Sequence, residues 1–434
     1  VKRVKRWMML AVVLLLVVSV GSAAAQEPGV ISPILEAQMA ELDAWTEAAR
    51  NLTPDNEVPH DFPTRDELRA YIEATYREEL TPELAARSLA FYNAVGMLPP
   101  GVDLTQLFID VLGSQVAGFY DPDTGVMNVI PMVGDGPGEN LSLTEQIIYV
   151  HEYVHALQDA NFDLDNHVGT DELMDHPDRA LASLSLVEGD ASAVMNLYTQ
   201  RAAEANPLAA LSLLTEGLAA GNLLPPGDIP APLMRELMFP YETGLNFALS
   251  IYQSTDSWDA VDAAFANPPT TSEQIIHPEK YLAGEEGALV EFVTMDEFML
   301  DTWTQQWDTA MGEFYLGEHL RQYLPRAEAL EAAAGWGGDR FQVYTNADGE
   351  VAWTLKLVVD SRNDSREFVS AYDTWMQAYA EANDGQMTFG EEYACVVAEQ
   401  TICIGEDEEG HIITSAPIPE LAHTQMDVQI RPAG

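Results

Sequence analysis

Apolar residues recur with helical period over much of the first two thirds of the chain. In SLTEQIIYVHEYVHALQDA, Ile147, Val150, Val154 and Leu157 fall at i, i+3, i+7 and i+10, the spacing of one buried helix face. Ser142 and Glu145 form a capping box that sets its start. A second stripe follows Pro177: Leu181, Leu184, Glu188, Ala191, Met195 and Tyr198 step by 3, 4, 3, 4 and 3, predicting a helix through RALASLSLVEGDASAVMNLY. Upstream, residues 27–96 read as helical, with Ile34, Met39, Leu42 and Trp45 at roughly helical spacing, a capping pair in Thr64 and Glu67, and Pro82 at a helix start. Pro99-Pro100-Gly101 ends that pattern. SQVAGFYDPDTGVMNVIPMV then reads as two strands about a turn at 121–125. Residues 207–266 read as mostly helical, broken at Pro225-Pro226-Gly227 and at Phe239-Pro240. From about residue 330 the character changes: RFQVYTNADGEVAWTLKLVV is strand, turn and strand, REFVSAYDTWMQAYAEA is a helix, and two further strands carry the cysteines.

This order predicts an α+β protein. Its expected parts are a signal peptide at 1–25, a helical N-terminal segment at 26–100, a central domain at 101–285, and a helical connector with a small α+β module at 286–434. The first 25 residues carry Lys2, Arg3, Lys5 and Arg6, a largely apolar run from Met8 to Val20, and Ala23-Ala24-Ala25 before Gln26, the layout of a cleaved export signal. The expected location is therefore extracellular or in the cell envelope, with no stable membrane insertion after cleavage. Cys395 and Cys403, the two cysteines, are expected to bridge a hairpin, as suits an oxidising compartment.

Charge narrows the partners. Seventy Asp and Glu face 20 Lys and Arg over 434 residues, a formal −50, which becomes −54 without the first 25 residues. Such a chain repels phosphate backbones and argues against nucleic acid as a partner. Lys280 and Lys356 are the lysines left beyond residue 25.

The chemistry concentrates in His151-Glu152-Tyr153-Val154-His155. Two His four apart on a helix project about 40° apart, which suits two nitrogen ligands on one Zn²⁺. Glu152 lies about 100° around from His151, where a carboxylate serves as general base without ligating the metal. The third ligand is expected from the second stripe. Five of its six positions are core residues and the sixth is Glu188, a carboxylate where burial is costly unless it is paired or bound to metal. The shorter pattern HExxHxxGxxH is not met, because Gln158 and Asn161 stand where Gly and His would be. His167 and His176 fall in a polar loop and read as solvated, with ligation by either as the alternative if the loop folds back. His277 and Tyr281, in IIHPEKY, are the leading candidates for a donor to a developing oxyanion, ahead of Tyr241 and Tyr120.

HExxH with a downstream helical Glu resembles the gluzincin group of zinc metallopeptidases. HEYVHALQD, LVEGDA, FPYETG and TTSEQIIHPEKY together resemble a little-characterised family of exported bacterial proteins with this motif. The resemblance implies a zincin-like fold, zinc on His151, His155 and Glu188, and Glu152 as the base. It also implies a strand near Val126–Ile130 that edges the cleft and pairs with an extended peptide. One departure concerns the residue that orients the first His: gluzincins often place Asp four after the ligand Glu, but Ser192 stands there, and the nearby acid is Asp190. The expected activity is hydrolysis of a peptide or protein by a metal-bound water that Glu152 activates. A non-catalytic zinc-containing binding module and a zinc hydrolase of a non-peptide amide are the alternatives.

Overall fold

The computed structural model describes residues 31–116, 118–131, 136–206, 229–291 and 302–430. The expected signal peptide and the break at Pro225-Pro226-Gly227 lie outside them. The protein is α+β, and the chain divides into two compact units. The first comprises residues up to 81, 103–171 and 182–269; the second comprises 82–102, 172–181 and 270 onward. Among the described residues, no helix is long and apolar enough to cross a membrane.

In the first unit, the HExxH helix spans Leu143–Phe162. Both halves of its predicted capping box are formed: the Ser142 hydroxyl accepts from Glu145 N–H, and the Glu145 carboxylate accepts from Ser142 N–H. This helix packs on an N-terminal helix, Pro33–Arg50, through Leu35, Met39 and Leu42 against Val150, Val154 and Leu157. Three short strands lie beside it: β1 (His60–Asp61), β2 (Gly118–Asp121) and β3 (Val126–Val129). The turn between β2 and β3 is as predicted, with Gly125 at φ +67°. The region read as wholly helical is interrupted by β1, whose placement rests on side-chain anchoring: the Tyr149 hydroxyl donates to Asp43 at 2.6 Å and lies 2.7 Å from His60 Nε2.

The strand order is β1-β3-β2, with β1 parallel and β2 antiparallel to β3. This corrects the expectation for Val126–Ile130. β3 is the central strand, paired on both sides at Met127 and Asn128, so it offers no edge to a peptide; β2 is the edge against the HExxH helix. Gly118 permits that approach, since a Cβ there would sit 2.9 Å from Ile148 and 3.3 Å from the Glu152 side chain.

The Glu188 helix spans Pro177–Ala205, with its residues from 182 onward in the first unit. A further helix, Ala231–Thr255, runs straight through Pro240, against the predicted break. Proline removes one backbone donor but fits wherever tertiary packing holds the flanking turns, and Phe239 and Pro240 are both buried here. The two helices cross backbone to backbone at Gly189 and Gly244. A Cβ on Gly189 would lie 2.2 Å from Gly244 O, and one on Gly244 would lie 2.3 Å from Ser185 O. These are the glycines of LVEGDA and FPYETG, so the motifs meet at this crossing. Gly189→Ala is expected to force the helices apart and to lower stability by at least the ~1–3 kcal/mol typical of overpacking. A urea denaturation midpoint equal to wild type would contradict that packing.

The second unit is built on an antiparallel sheet ordered β4-β5-β6-β10-β9-β8-β7. Its strands are β4 (Trp303–Thr309), β5 (Trp336–Asn346), β6 (Val351–Val359), β7 (Gln386–Phe389), β8 (Tyr393–Val397), β9 (Thr401–Glu406) and β10 (His411–Ala416). The β5–β6 hairpin turns at Asn346–Gly349 as predicted, and Cys395 and Cys403 sit opposite one another on β8 and β9 and are disulfide-bonded. The sheet is larger than the expected module, because β4, β7 and β10 are short or edge strands with weak alternation. Helix Arg362–Ala382 buries Phe368, Tyr372, Trp375 and Met376. Lys280 serves three carboxylates, Glu273, Glu285 and Asp360, and Lys356 serves Asp407 and Glu409.

Two buried acids give this unit a pH signature. Asp339 accepts from Met311 N–H, Gly312 N–H and the Trp336 indole. Asp178 accepts from Ser272 N–H and lies against Gly312, whose φ of +78° and lack of Cβ make room for it. Burial pushes Asp178 up to about 8 and Asp339 up to about 6, with the Asp339 and Glu313 charges raising Asp178 further. Both values exceed those of an unfolded Asp. The unfolded chain therefore sheds these protons first, and stability is lost as pH rises from about 4 toward 8. Thermal unfolding is expected at a higher temperature at pH 5 than at pH 8, with a smaller difference in Asp178→Asn, which keeps an acceptor for Ser272. A midpoint that rises with pH over this range would contradict the assignment.

Candidate metal centre

His151 and His155 point from one face of their helix toward Glu188 on the next, and all three side chains are buried. His151 Nε2 lies 3.0 Å from Glu188 Oε2 and 3.2 Å from His155 Nε2, and His155 Nε2 lies 3.4 Å from the same carboxylate oxygen. Three ligand atoms at such mutual distances match the corners of a small tetrahedron: zinc bonds of 2.0–2.2 Å imply ligand separations of about 3.3 Å. The donor set, two imidazoles and one carboxylate, also fits zinc. The residues therefore fit the ion that the resemblance implies.

The electrostatics favour positive charge at this point. Burial raises the cost of ionising Glu188, yet His155 and His151 outweigh it and hold the carboxyl well below its usual range. Burial disfavours a charged His155, yet the Glu188 carboxylate holds its imidazole above the usual value.

Glu152 faces the cleft from the same helix. Burial raises its carboxyl; the two imidazoles oppose that, and Glu188 adds to it. Its Oε2 accepts from Tyr120 N–H on β2 at 3.0 Å, while its Oε1 has no hydrogen-bond partner among the described residues. Glu152 is thus pinned by one oxygen, with the other unengaged among the described residues. Glu152, His155 and Glu188 border a cavity of about 50 Å³ whose further walls include Leu68, Ile72, Leu112, Val116, Leu184 and Val187. That is room for a few water molecules beside the acid, in a partly open pocket whose walls are mostly apolar but include Asp121 and Asp123.

The remaining candidates divide between the units. The Tyr241 ring centroid lies 6.0 Å from that of His151, and Tyr120 contributes its backbone to Glu152 while its hydroxyl donates to Asp159. His277 and Tyr281 belong to the second unit, where His277 Nε2 lies 3.1 Å from Glu313 Oε1. His167 is buried, its ring edge-on to Phe265, not solvated; the aromatic ring covers the loop. Asp190 is fully buried and accepts from Arg50 Nε at 2.7 Å and from Gln158 Nε2 at 2.9 Å. Ser192 is buried with no hydrogen-bond partner for its hydroxyl among the described residues, and the same is true of His151 Nδ1. Gln158 and Arg50 were not singled out by the sequence. The signal for Gln158 was its position, three residues after His155 on the same helix face; Arg50, from a distant helix, left none.

Comparison with known proteins adds little to this geometry. A family profile described as a domain of unknown function, DUF8575, matches residues 300–422, which lie in the second unit and exclude the His151 cluster. No curated protein matches the chain. A crystal structure from Chloroflexus aurantiacus, described as that of "a putative hydrolase with a novel fold", is similar at 16% identity and a TM-score of 0.42, covering 61% of this chain and 94% of that one. Likeness at that level carries no argument about fold or activity.

Proposed function

We propose that the protein is an exported zinc-dependent peptidase of gluzincin type. The observation that carries this reading is the convergence of His151, His155 and Glu188 on one point, with the Glu152 carboxylate beside it in an apolar, water-sized cavity. A zinc ion held by the three ligands would supply Lewis-acid polarisation of a water and of the scissile carbonyl. The chain's own groups do the rest. Glu152, pinned by Tyr120 N–H, takes the proton of the attacking water through its unengaged oxygen and returns it to the departing amine. Burial keeps that carboxyl's proton affinity above that of an exposed Glu. Tyr241, beside His151, is the donor candidate within the first unit for charge developing on the carbonyl oxygen.

The test is cleavage of casein and of a peptide library by the purified protein, before and after dialysis against a chelator and after zinc is restored. Activity lost on chelation and recovered with zinc is the expected result. Tightly bound zinc with no hydrolysis across the panel would favour the non-catalytic binding module instead.

A further inference from the structure

Behind the metal-facing side of His155 runs a buried polar chain. His155 Nδ1 lies 2.8 Å from Gln158 Oε1, and Gln158 Nε2 donates to both Val187 O and Asp190 Oδ2 at 2.9 Å. Asp190 Oδ1 in turn accepts from Arg50 Nε, and Arg50 reaches Asp262 at 2.6 Å. Gln158, Asp190 and Arg50 are fully buried.

This chain fixes its own polarity. The Gln158 amide nitrogen has two acceptors, Val187 O and the Asp190 carboxylate, so flipping the amide would set its oxygen against both of them and lose both bonds. The amide oxygen can only accept, so His155 must donate from Nδ1. A neutral His155 therefore carries its proton at Nδ1 and presents a bare Nε2 toward His151 and Glu188. His151 has no such support, since its Nδ1 has no hydrogen-bond partner among the described residues.

We propose that Gln158 is the positioning residue of the centre: its side-chain carbonyl fixes the tautomer and ring orientation of His155, and Asp190 and Arg50 hold that amide in place. The support for the ligand set is thus an amide on the second His, where a carboxylate on the first would have been expected from Ser192's position. The inference rests on the reading of His155 as a metal ligand.

Two variants separate positioning from stability. Gln158→Leu removes the acceptor for His155 and both donors; Gln158→Glu removes the donors but keeps an acceptor at Nδ1. Both are expected to unfold at lower temperature than wild type. Zinc affinity, read by competition with a chromogenic chelator, is expected to fall about 10–100-fold in Gln158→Leu, the usual effect of removing such a partner. The loss should be clearly smaller in Gln158→Glu, which keeps an acceptor at Nδ1. In the zinc-loaded wild type labelled with ¹⁵N-histidine, the His155 Nδ1 proton should be slow to exchange, and fast in Gln158→Leu. Affinity unchanged in Gln158→Leu, or lowered equally in both variants in step with thermal stability, would overturn the positioning role while leaving the metal centre intact. Wild-type protein that takes up no zinc would overturn the underlying reading itself.

Discussion

Glu152→Gln is expected to lower peptide hydrolysis by about 10²–10⁴-fold, the contribution of a positioned acid–base group, with zinc content and thermal unfolding close to wild type. The substitution is nearly isosteric, and Gln keeps an oxygen able to accept from Tyr120 N–H. It removes the capacity to take a proton from water. Because Glu152 touches neither Glu188 nor the imidazoles by hydrogen bond, the ligand set is left as it was. A variant that retains more than a tenth of wild-type activity would assign the base to another group. Neighbouring Gly118 lies close to this side chain: a Cβ there would sit 2.9 Å from Ile148, 3.2 Å from Asn128 O and 3.3 Å from Glu152 Cγ.

The second large effect is expected at Arg50, far from the chemistry. Its guanidinium is fully buried, paired with Asp190 at 2.7 Å and Asp262 at 2.6 Å, and lies 4.7 Å from the Trp258 ring centroid. Burial lowers the tendency of Arg50 to hold its charge, and the two carboxylates more than reverse that. Arg50→Leu would strand Asp190 inside the protein without a cation. Removing one partner of a buried pair costs about 3–5 kcal/mol, well above the ~0–1 kcal/mol of a surface pair. Denaturant unfolding should show a loss of that size. Arg50→Leu combined with Asp190→Asn should recover part of it, because the stranded charge is gone. A loss under ~1 kcal/mol for the single variant would contradict a buried ion pair between Arg50 and Asp190.

The convergence of His151, His155 and Glu188 was legible in the sequence because it depends on local spacing. His151 and His155 are one turn apart, and Glu188 announces itself as the single acid on an apolar stripe; both signals survive without any tertiary information. The capping boxes at Ser142 and Thr64 and the turns at 121–125 and 346–349 were legible for the same reason. What was not legible depends on long-range contact. β1 is two residues held by Tyr149 and Asp43, too short for any periodicity, yet it turns β3 from an edge into a centre. Pro240 reads as a break, but packing carries the helix through it. Gly189 and Gly244 look like ordinary small residues until two helices are seen to touch through them. Gln158 reads as the failure of a shorter zinc motif, and in the fold it supports His155. The acidic composition could not point to any of these groups, since 70 acids are spread along the chain from Glu27 onward.

The central claim is that three buried side chains form one zinc site. Its most direct test is metal content, measured by mass spectrometry on protein purified without added metal and after equilibration with a slight excess of zinc. Wild type is predicted to retain one zinc per chain through gel filtration, and Glu188→Ala and His155→Ala to retain markedly less while folded. A folded wild-type protein that holds no zinc after equilibration, or one whose zinc content is unchanged by both substitutions, would contradict it.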